Sequence, residues 1–414
     1  MIQNMIRNTC RSCKGWLETV FVDLGTMAPA NSFMNSIGEF NSEKAYPLVA
    51  KVCSDCLLVQ LNCDVPPQEI FDEYVYFSSF SESWIAHAQA FTDWARNQFQ
   101  LNSKSFVVEI ASNDGYLLKN FLAHDIPCLG IDPSHTVASA AMEIGVPTEV
   151  DFFSAALAGK MVEKYGQADL MIANNVLAHV PDINNLLEGF KIMLKPKGVI
   201  SFEFPHLLQL IEHVEFDTVY HEHFSYISIY ALELAMHRHG LRIYSVEEIP
   251  THGGSVRVLC CHAENAHITD TKQLADIRIK EALAGLDKLE TYATFAEKPK
   301  AIRNAFQSFL SAAKVQNKTV VGYGAAAKGN TLLNYCGVSA SEIMFVSDRN
   351  PHKQNKFLPT NHIPTCSVDE ISELRPDYIV ILPWNLKDEI MSQLEFVREW
   401  GGQFVVAIPT TKIL

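Results

Sequence analysis

Short apolar runs alternate with amphipathic stretches along the middle of the chain, and that rhythm predicts its elements. Ser105–Ala111, Cys128–Asp132, Ala168–Ala173 and Val199–Phe204 have the length and apolar content of buried strands. Between them, Tyr116–His124, Ser134–Ile144 and Ile183–Leu194 read as helices. Strand and helix in alternation predict a parallel, doubly wound sheet, an α/β fold whose ligands bind beyond the strand carboxyl ends.

The flanks have other textures. Residues 45–61, with Tyr46, Leu48, Val49, Val52, Leu57, Leu58, Val59 and Leu61, supply strands for a small sheet. Pro66 and Pro67 mark a boundary. Trp84, Ala88, Phe91, Ala95 and Phe99 then recur at helical spacing. Ser228–His239 predicts a helix ended by Gly240. Leu241–Ile249 and Ser255–Cys261 predict paired strands joined by Thr251-His252-Gly253-Gly254, a turn that either reaches over a site or simply closes a hairpin. Residues 267–317 are helical in pattern. Residues 318–414 form a second α/β unit: Thr319–Thr331 reads as a strand, a glycine turn and a helix start, and Ile343–Ser347, Ile379–Leu382 and Val405–Ile408 as further strands. The organisation expected is 1–65, a zinc-binding domain; 66–265, a cofactor-binding domain carrying the catalytic motif; and 266–414, a Rossmann-like domain.

Composition narrows the class. At 414 residues, 48% hydrophobic and 19% charged, the chain suits two to three domains with large cores. A formal net charge of −14 argues against nucleic acid as a partner, though not against a small anion in a local basic pocket. The first twenty residues lack the apolar core of a secretory signal, and no apolar run approaches ~18 residues. A cytoplasmic protein without membrane contact is expected.

Four of the ten cysteines carry a pattern. Cys10-Arg-Ser-Cys13 and Cys53-Ser-Asp-Cys56 are two C-x2-C knuckles, able to offer four thiolates to one tetrahedral Zn²⁺. A closed four-cysteine site is structural, so the zinc is expected to staple the first domain, remote from chemistry. Cys63, Cys128, Cys260, Cys261, Cys336 and Cys366 read as small hydrophobes.

Candidate chemistry gathers at Tyr220-His221-Glu222-His223. An imidazole titrates near neutrality and can act as a base, Tyr220 can donate to an oxyanion, and Glu222 can orient a ring N–H. Extended, Tyr220 and Glu222 face away from the histidines; in a turn, three of the four can converge. In the central sheet Glu109, Gly115 and Asp132 fall where a nucleoside ligand meets strand ends, with Asp132 suited to ribose hydroxyls. The turn lacks G-x-G-x-x-G, which favours S-adenosylmethionine (SAM) over NAD. In the last unit Gly322, Gly324 and Lys328 suit a phosphate.

Val107-Val-Glu-Ile-Ala-Ser-Asn-Asp-Gly115 resembles the first motif of class I SAM-dependent methyltransferases. With the two knuckles, Tyr76-Phe-Ser-Ser79, Asn175-Val-Leu-Ala-His179, Glu203-Phe-Pro205, Tyr220-His-Glu-His223 and His252-Gly-Gly-Ser255, nearly the whole chain resembles the SAM-dependent sugar C-methyltransferases of nucleotide-linked deoxysugar biosynthesis. That resemblance implies His223 as catalytic base, with Tyr220, Glu222 and His179 beside the reacting carbon. It implies SAM contacts at Tyr76, Ser79, Glu109, Ala111, Asn113, Gly115, Asp132, Pro133, Asn174 and Asn175. A nucleotide-sugar substrate would meet Tyr74, Phe204, His252, Gly254, Ser255, Gly324, Lys328 and Asn330. Ala111 stands where the family usually has glycine, and its methyl group could crowd the methionine part of SAM. A monomer or weak homodimer is expected. A methyltransferase acting on oxygen or nitrogen of another acceptor, or a non-catalytic zinc and nucleotide-binding scaffold, remains the rival reading.

Overall fold

The computed structural model describes residues 5–66, 78–80 and 82–414. Strands β1 (Thr19–Met27), β2 (Tyr46–Val52) and β3 (Val59–Leu61) come first, followed by helix α1 (Glu82–Gln98). The central repeat is β4 (Val107–Ile110), α2 (Leu118–Leu122), β5 (Cys128–Ile131), α3 (His135–Glu143), β6 (Thr148–Glu149), α4 (Ala155–Tyr165), β7 (Ala168–Asn174), α5 (Ile183–Met193) and β8 (Leu194–Pro205). Then come α6 (Leu207–His213), β9 (Ser225–Tyr226), α7 (Ile229–Arg238), and the hairpin of β10 (Leu241–Ile249) and β11 (Ser255–His262). Helices α8 (Lys272–Leu283), α9 (Leu289–Ala293) and α10 (Lys298–Val315) lead to β12 (Val320–Tyr323), α11 (Ala327–Tyr335), β13 (Val346–Ser347), β14 (Thr365–Cys366), α12 (Asp369–Leu374), β15 (Tyr378–Ile381), α13 (Lys387–Gln393), β16 (Gln403–Val406) and β17 (Lys412–Ile413).

These strands make three sheets, ordered β1-β2-β3-β9, β10-β11-β8-β7-β4-β5-β6 and β14-β13-β12-β15-β16-β17. The central sheet is parallel from β8 through β6, as the alternation predicts, and the β10–β11 hairpin extends it antiparallel. Its strands are apolar on both faces because both are covered. Val108, Ile110, Met171 and Ala173 join Leu186, Phe190 and Met161 of α5 and α4, while Val107, Leu170 and Ile172 join Phe91 of α1 and Phe121 of α2. In β2 buried and half-buried residues alternate without a break, the mark of a sheet with one covered face.

Ser154, Asp182, Ser228 and Thr271 cap α4, α5, α7 and α8, each side chain accepting a first-turn N–H. The helical region 267–317 divides into three, at Gly285 with φ +78° and again before Pro299. The strand expected at 343–347 shrinks to Val346–Ser347, and that at 199–204 grows to twelve residues. The six remaining cysteines are free thiols, buried except for the half-buried Cys366. Among the described residues no helix is long and apolar enough to cross a membrane.

One join decides where the site lies. β3 follows the second knuckle, and β9 follows His223; the two pair antiparallel, Val59 with Tyr226 and Gln60 with Ser225. The first and third sheets also share one apolar core, in which Phe21, Leu48 and Val59 meet Val320, Val346 and Val380.

Candidate active site

Tyr220–His223 is a turn, closed by the His223 N–H donating to the Tyr220 carbonyl at 2.9 Å. Two of the four side chains meet: Tyr220 Oη lies 2.8 Å from His223 Nε2. His223 Nδ1 is 3.1 Å from the Thr218 carbonyl, which can only accept. Nδ1 therefore carries the ring proton, and Nε2 keeps its lone pair toward the Tyr220 hydroxyl. The His179 ring, on a short turn after β7, stands edge-on to His223 with centroids 4.6 Å apart. Burial holds the His223 imidazole well below its usual range, with His179, His252 and Lys328 pushing the same way and the Thr218 carbonyl opposing. Burial likewise pushes His179 down to about 4. Both rings are neutral near pH 7.

Glu222 does not orient a ring N–H. Its Oε1 accepts from Asn31 Nδ2 at 2.6 Å, because the turn sends this side chain toward the amino-terminal part of the chain. Burial raises its carboxyl to about 7. His221 is buried elsewhere, its Nε2 3.2 Å from the Tyr46 carbonyl. Ala178, Phe204, Thr218, His223, Ser225 and Tyr226 line a small cavity at the turn, so Phe204 does reach the site.

The β10–β11 turn reaches over this region. His252, at φ +58°, places Nε2 3.3 Å from Asn175 Nδ2 and its carbonyl 3.0 Å from Lys328 Nζ. Lys328 thus faces this turn, Asn385 Oδ1 at 3.3 Å and the Trp384 ring at 5.0 Å. The Trp384 indole N–H donates to Asp217 Oδ2 at 2.8 Å. Asp217 and Glu215 are each raised to about 7 by burial, with Lys328 opposing. The Ser255 hydroxyl is spent inside the turn on the Thr251 carbonyl, and Gly254 accepts from the His206 N–H. Asn330 is buried between the Ala30 carbonyl and Asn361 Nδ2. Gly324 has φ +87°, and a Cβ there would lie 2.4 Å from Pro383. Sequence reasoning missed Asn31, Asp217, Thr218 and Trp384. None belongs to a motif; Asn31, Asp217 and Trp384 act through partners distant in the chain, and Thr218 through His223 five residues on.

The carboxyl ends of β4, β5 and β7 fit a polar cofactor. Among the described residues, buried Glu109 Oε2, Asp114 Oδ1, Ser112 Oγ and both amide atoms of Asn174 have no protein partner, which a bound ligand would repair. Burial raises Glu109 well above its usual range, with Asp132 and Asp114 adding to it. Asp132 accepts from the N–H groups of Asn113 and Ser134, both at 2.9 Å, the latter across Pro133. Gly115, at φ +76°, packs so closely on Val146 that a Cβ would lie 2.9 Å from it. Ala111 is exposed and also left-handed at φ +53°, so the backbone there takes the conformation a glycine would. The Ser79 N–H docks on Asp114 at 3.1 Å, while Tyr74 and Tyr76 lie outside the described residues.

The four knuckle sulfurs lie within 4.8 Å of one another, Cys10 and Cys56 3.6 Å apart and Cys13 and Cys53 3.3 Å apart. Tetrahedral zinc with bonds of ~2.3 Å would set them about 3.8 Å apart. Backbone N–H groups of Ser12, Gly15 and Asp55 point at the sulfurs from 3.4 Å, as knuckle loops do around thiolates. The cluster fits zinc.

Comparison with known proteins shows the family. Family models described as a zinc binding domain, a methyltransferase domain and a C-methyltransferase C-terminal domain match residues 10–71, 83–246 and 250–409. The C-methyltransferase NovU of Streptomyces niveus is 32% identical over 417 residues, covering 100% of this chain and 99% of its own. Among solved structures, a SAM-dependent methyltransferase from Anabaena variabilis is 17% identical with a TM-score of 0.33, over 42% of this chain and 83% of its own. Magnesium protoporphyrin IX methyltransferase from Synechocystis, solved with bound SAH, is 12% identical with a TM-score of 0.35, over 43% of this chain and 83% of its own.

Proposed function

The chain belongs to the SAM-dependent sugar C-methyltransferase family, and from that premise we propose that it methylates the carbon beside the carbonyl of a nucleotide-linked keto-deoxysugar, with His223 as the base. The observation that carries this is the His223 ring itself: buried, neutral, its proton committed to Thr218 and its lone pair facing the Tyr220 hydroxyl.

Methylating carbon needs a carbanion equivalent, which a ketone provides by losing an α-proton. His223 Nε2 takes that proton, and the C–H pair becomes the enolate. Tyr220 turns its hydroxyl from Nε2 to the enolate oxygen, at once freeing the base and donating to the developing charge. The neutral His179 ring stands edge-on beside the base. Burial disfavours the imidazolium that forms, and the negative charge of the enolate and of the substrate's diphosphate offsets this. Glu109, Asp114, Asp132 and Asn174 would hold SAM, which would supply the methyl group, its carbon–sulfur bond breaking as the new carbon–carbon bond forms. The Zn²⁺ site stands outside these steps. The third sheet, with Gly324, Lys328 and Asn330, is the candidate for holding the nucleotide.

His223→Ala should abolish methyl transfer while SAM binds with unchanged affinity by calorimetry. It should also stop deuterium wash-in alpha to the ketone, scored by mass spectrometry over a panel of nucleotide keto-sugars. Transfer at near-normal rate, or product methylated on oxygen or nitrogen, would sink the proposal.

A further inference from the structure

Arg11 lies between the cysteines of the first knuckle, and it is among the largest fully buried side chains of the described residues. Its guanidinium does not face the sulfurs. Nη1 donates to the Pro181 carbonyl at 3.1 Å, and Nη2 donates to the Leu61 carbonyl at 3.3 Å and pairs with Asp64. The guanidinium carbon stands 4.8 Å over the Phe224 ring. Pro181 comes two residues after His179, and Phe224 directly follows His223. One rigid fork therefore touches both segments that deliver a histidine.

The base of this side chain is fixed from the metal site. The Arg11 N–H donates to Gln60 Oε1 at 2.8 Å, and Gln60 Nε2 donates to Cys10 Sγ at 3.1 Å. Asn184 Nδ2 holds the carbonyls of Arg11 and Ser12 at 3.0 and 2.8 Å. The two histidine segments are also tied to each other and to β3: Phe224 N–H donates to the Ala178 carbonyl at 2.7 Å, and Leu61 N–H to the Phe224 carbonyl at 3.0 Å. Burying a cation is costly, and an apolar side chain of equal volume fills a core more cheaply. What an apolar side chain cannot do is hold carbonyls on two separate segments at a set spacing.

We propose that Arg11 is a positioning residue, which sets His223 and His179 against one another and is itself held in place by the four-cysteine zinc site. This rests on the His223 reading above. Reacting groups tolerate little misplacement, and a shift of about 1 Å costs on the order of 100-fold.

The test compares Arg11→Lys and Arg11→Met in the full-length zinc-loaded protein. Both should retain one zinc per chain by atomic emission, and the wild-type SAM affinity by calorimetry. kcat should fall about 10- to 100-fold with little change in KM. Leu48→Ala, which opens the core that the first sheet shares with the third, serves as the stability control and should keep kcat well below its melting temperature. A kcat within threefold of wild type, a loss matched by Leu48→Ala, or loss of the zinc in both Arg11 variants would overturn the inference. If neither Arg11 variant folds, Phe224→Leu removes the ring from the opposite side and is judged by the same kcat criterion. His223→Ala run alongside separates the two claims: an inactive His223→Ala with fully active Arg11 variants defeats only the positioning role, whereas an active His223→Ala defeats both.

Discussion

Tyr220 and His223 stand three positions apart, and only a turn lets the hydroxyl of one meet the ring nitrogen of the other. The tautomer that results makes His223 a base ready at neutral pH, since it has no proton to lose first. Its folded-state pKa is lowered, so the active neutral form is present above that value and is lost as pH falls through it. The acid limb of kcat/KM should therefore lie below 6.5, the ordinary histidine value, in a pH–rate profile. A limb at or above 6.5 would mean that another group controls the rate. Glu222 carries the opposite sign. Its folded pKa of about 7 exceeds the ordinary 4.5, so it is a liability once ionised, and its stability contribution is lost as pH rises through 7. Glu222→Gln keeps an oxygen for Asn31 while removing the charge. It should stabilise the fold by about 1–3 kcal/mol at pH 8 and by almost nothing at about pH 4, below both values, measured by denaturant melts. At this scale the sequence showed which residues can move protons. It did not show which partner each one has, because Asn31, Thr218 and Trp384 carry no chemical signature of their own.

Among elements, the long ones were legible and the shortest were not. The strands beginning at Val107, Cys128 and Ala168 announce themselves by continuous apolar character, since both faces of a parallel sheet are covered. β9 is two residues long, and nothing in Ser225-Tyr226 says that it pairs with a strand beside the second knuckle. That pairing changes the meaning of the zinc site. Expected as a staple for the first domain alone, it sits at the end of a sheet whose last strand begins two residues after His223. Cys10→Ser leaves three thiolates and should weaken zinc binding. Amides of Val59, Gln60 and Tyr226 should then exchange with deuterium faster than in wild type, while those of Val107–Ile110 keep their protection. The readout is peptide-resolved hydrogen exchange at a temperature where both proteins are folded. Equal loss of protection in β4 would point instead to general unfolding.

Over the whole molecule, the three sheets bring to one place residues that no single domain contains. Asn31 precedes the second knuckle, His179 and His223 leave the central sheet and the turn after it, and Lys328 and Trp384 come from the third sheet. Trp384 is the clearest wedge among them. Its N–H is on Asp217, its ring lies under Lys328, and Gly253 packs so closely on it that a Cβ would stand 2.6 Å from the indole. Trp384 is thus one of several side chains that join the last unit to the segment before the 220–223 turn, with Tyr335 edge-on to Phe216 another, and it lies beyond the reach of sequence patterns because its partners are spread over the chain. If the third sheet holds the nucleotide, loosening this wedge should be felt by the sugar nucleotide and not by SAM. Trp384→Phe keeps an aromatic ring, loses the donor to a buried carboxyl, and forfeits about 1–3 kcal/mol of that contact. Steady-state kinetics should show KM for the nucleotide-sugar rising about tenfold, for ~1.4 kcal/mol transmitted, with KM for SAM unchanged. A matched rise in both would place Trp384 in the general stability of the fold. A rise for SAM alone would move the nucleotide away from the third sheet.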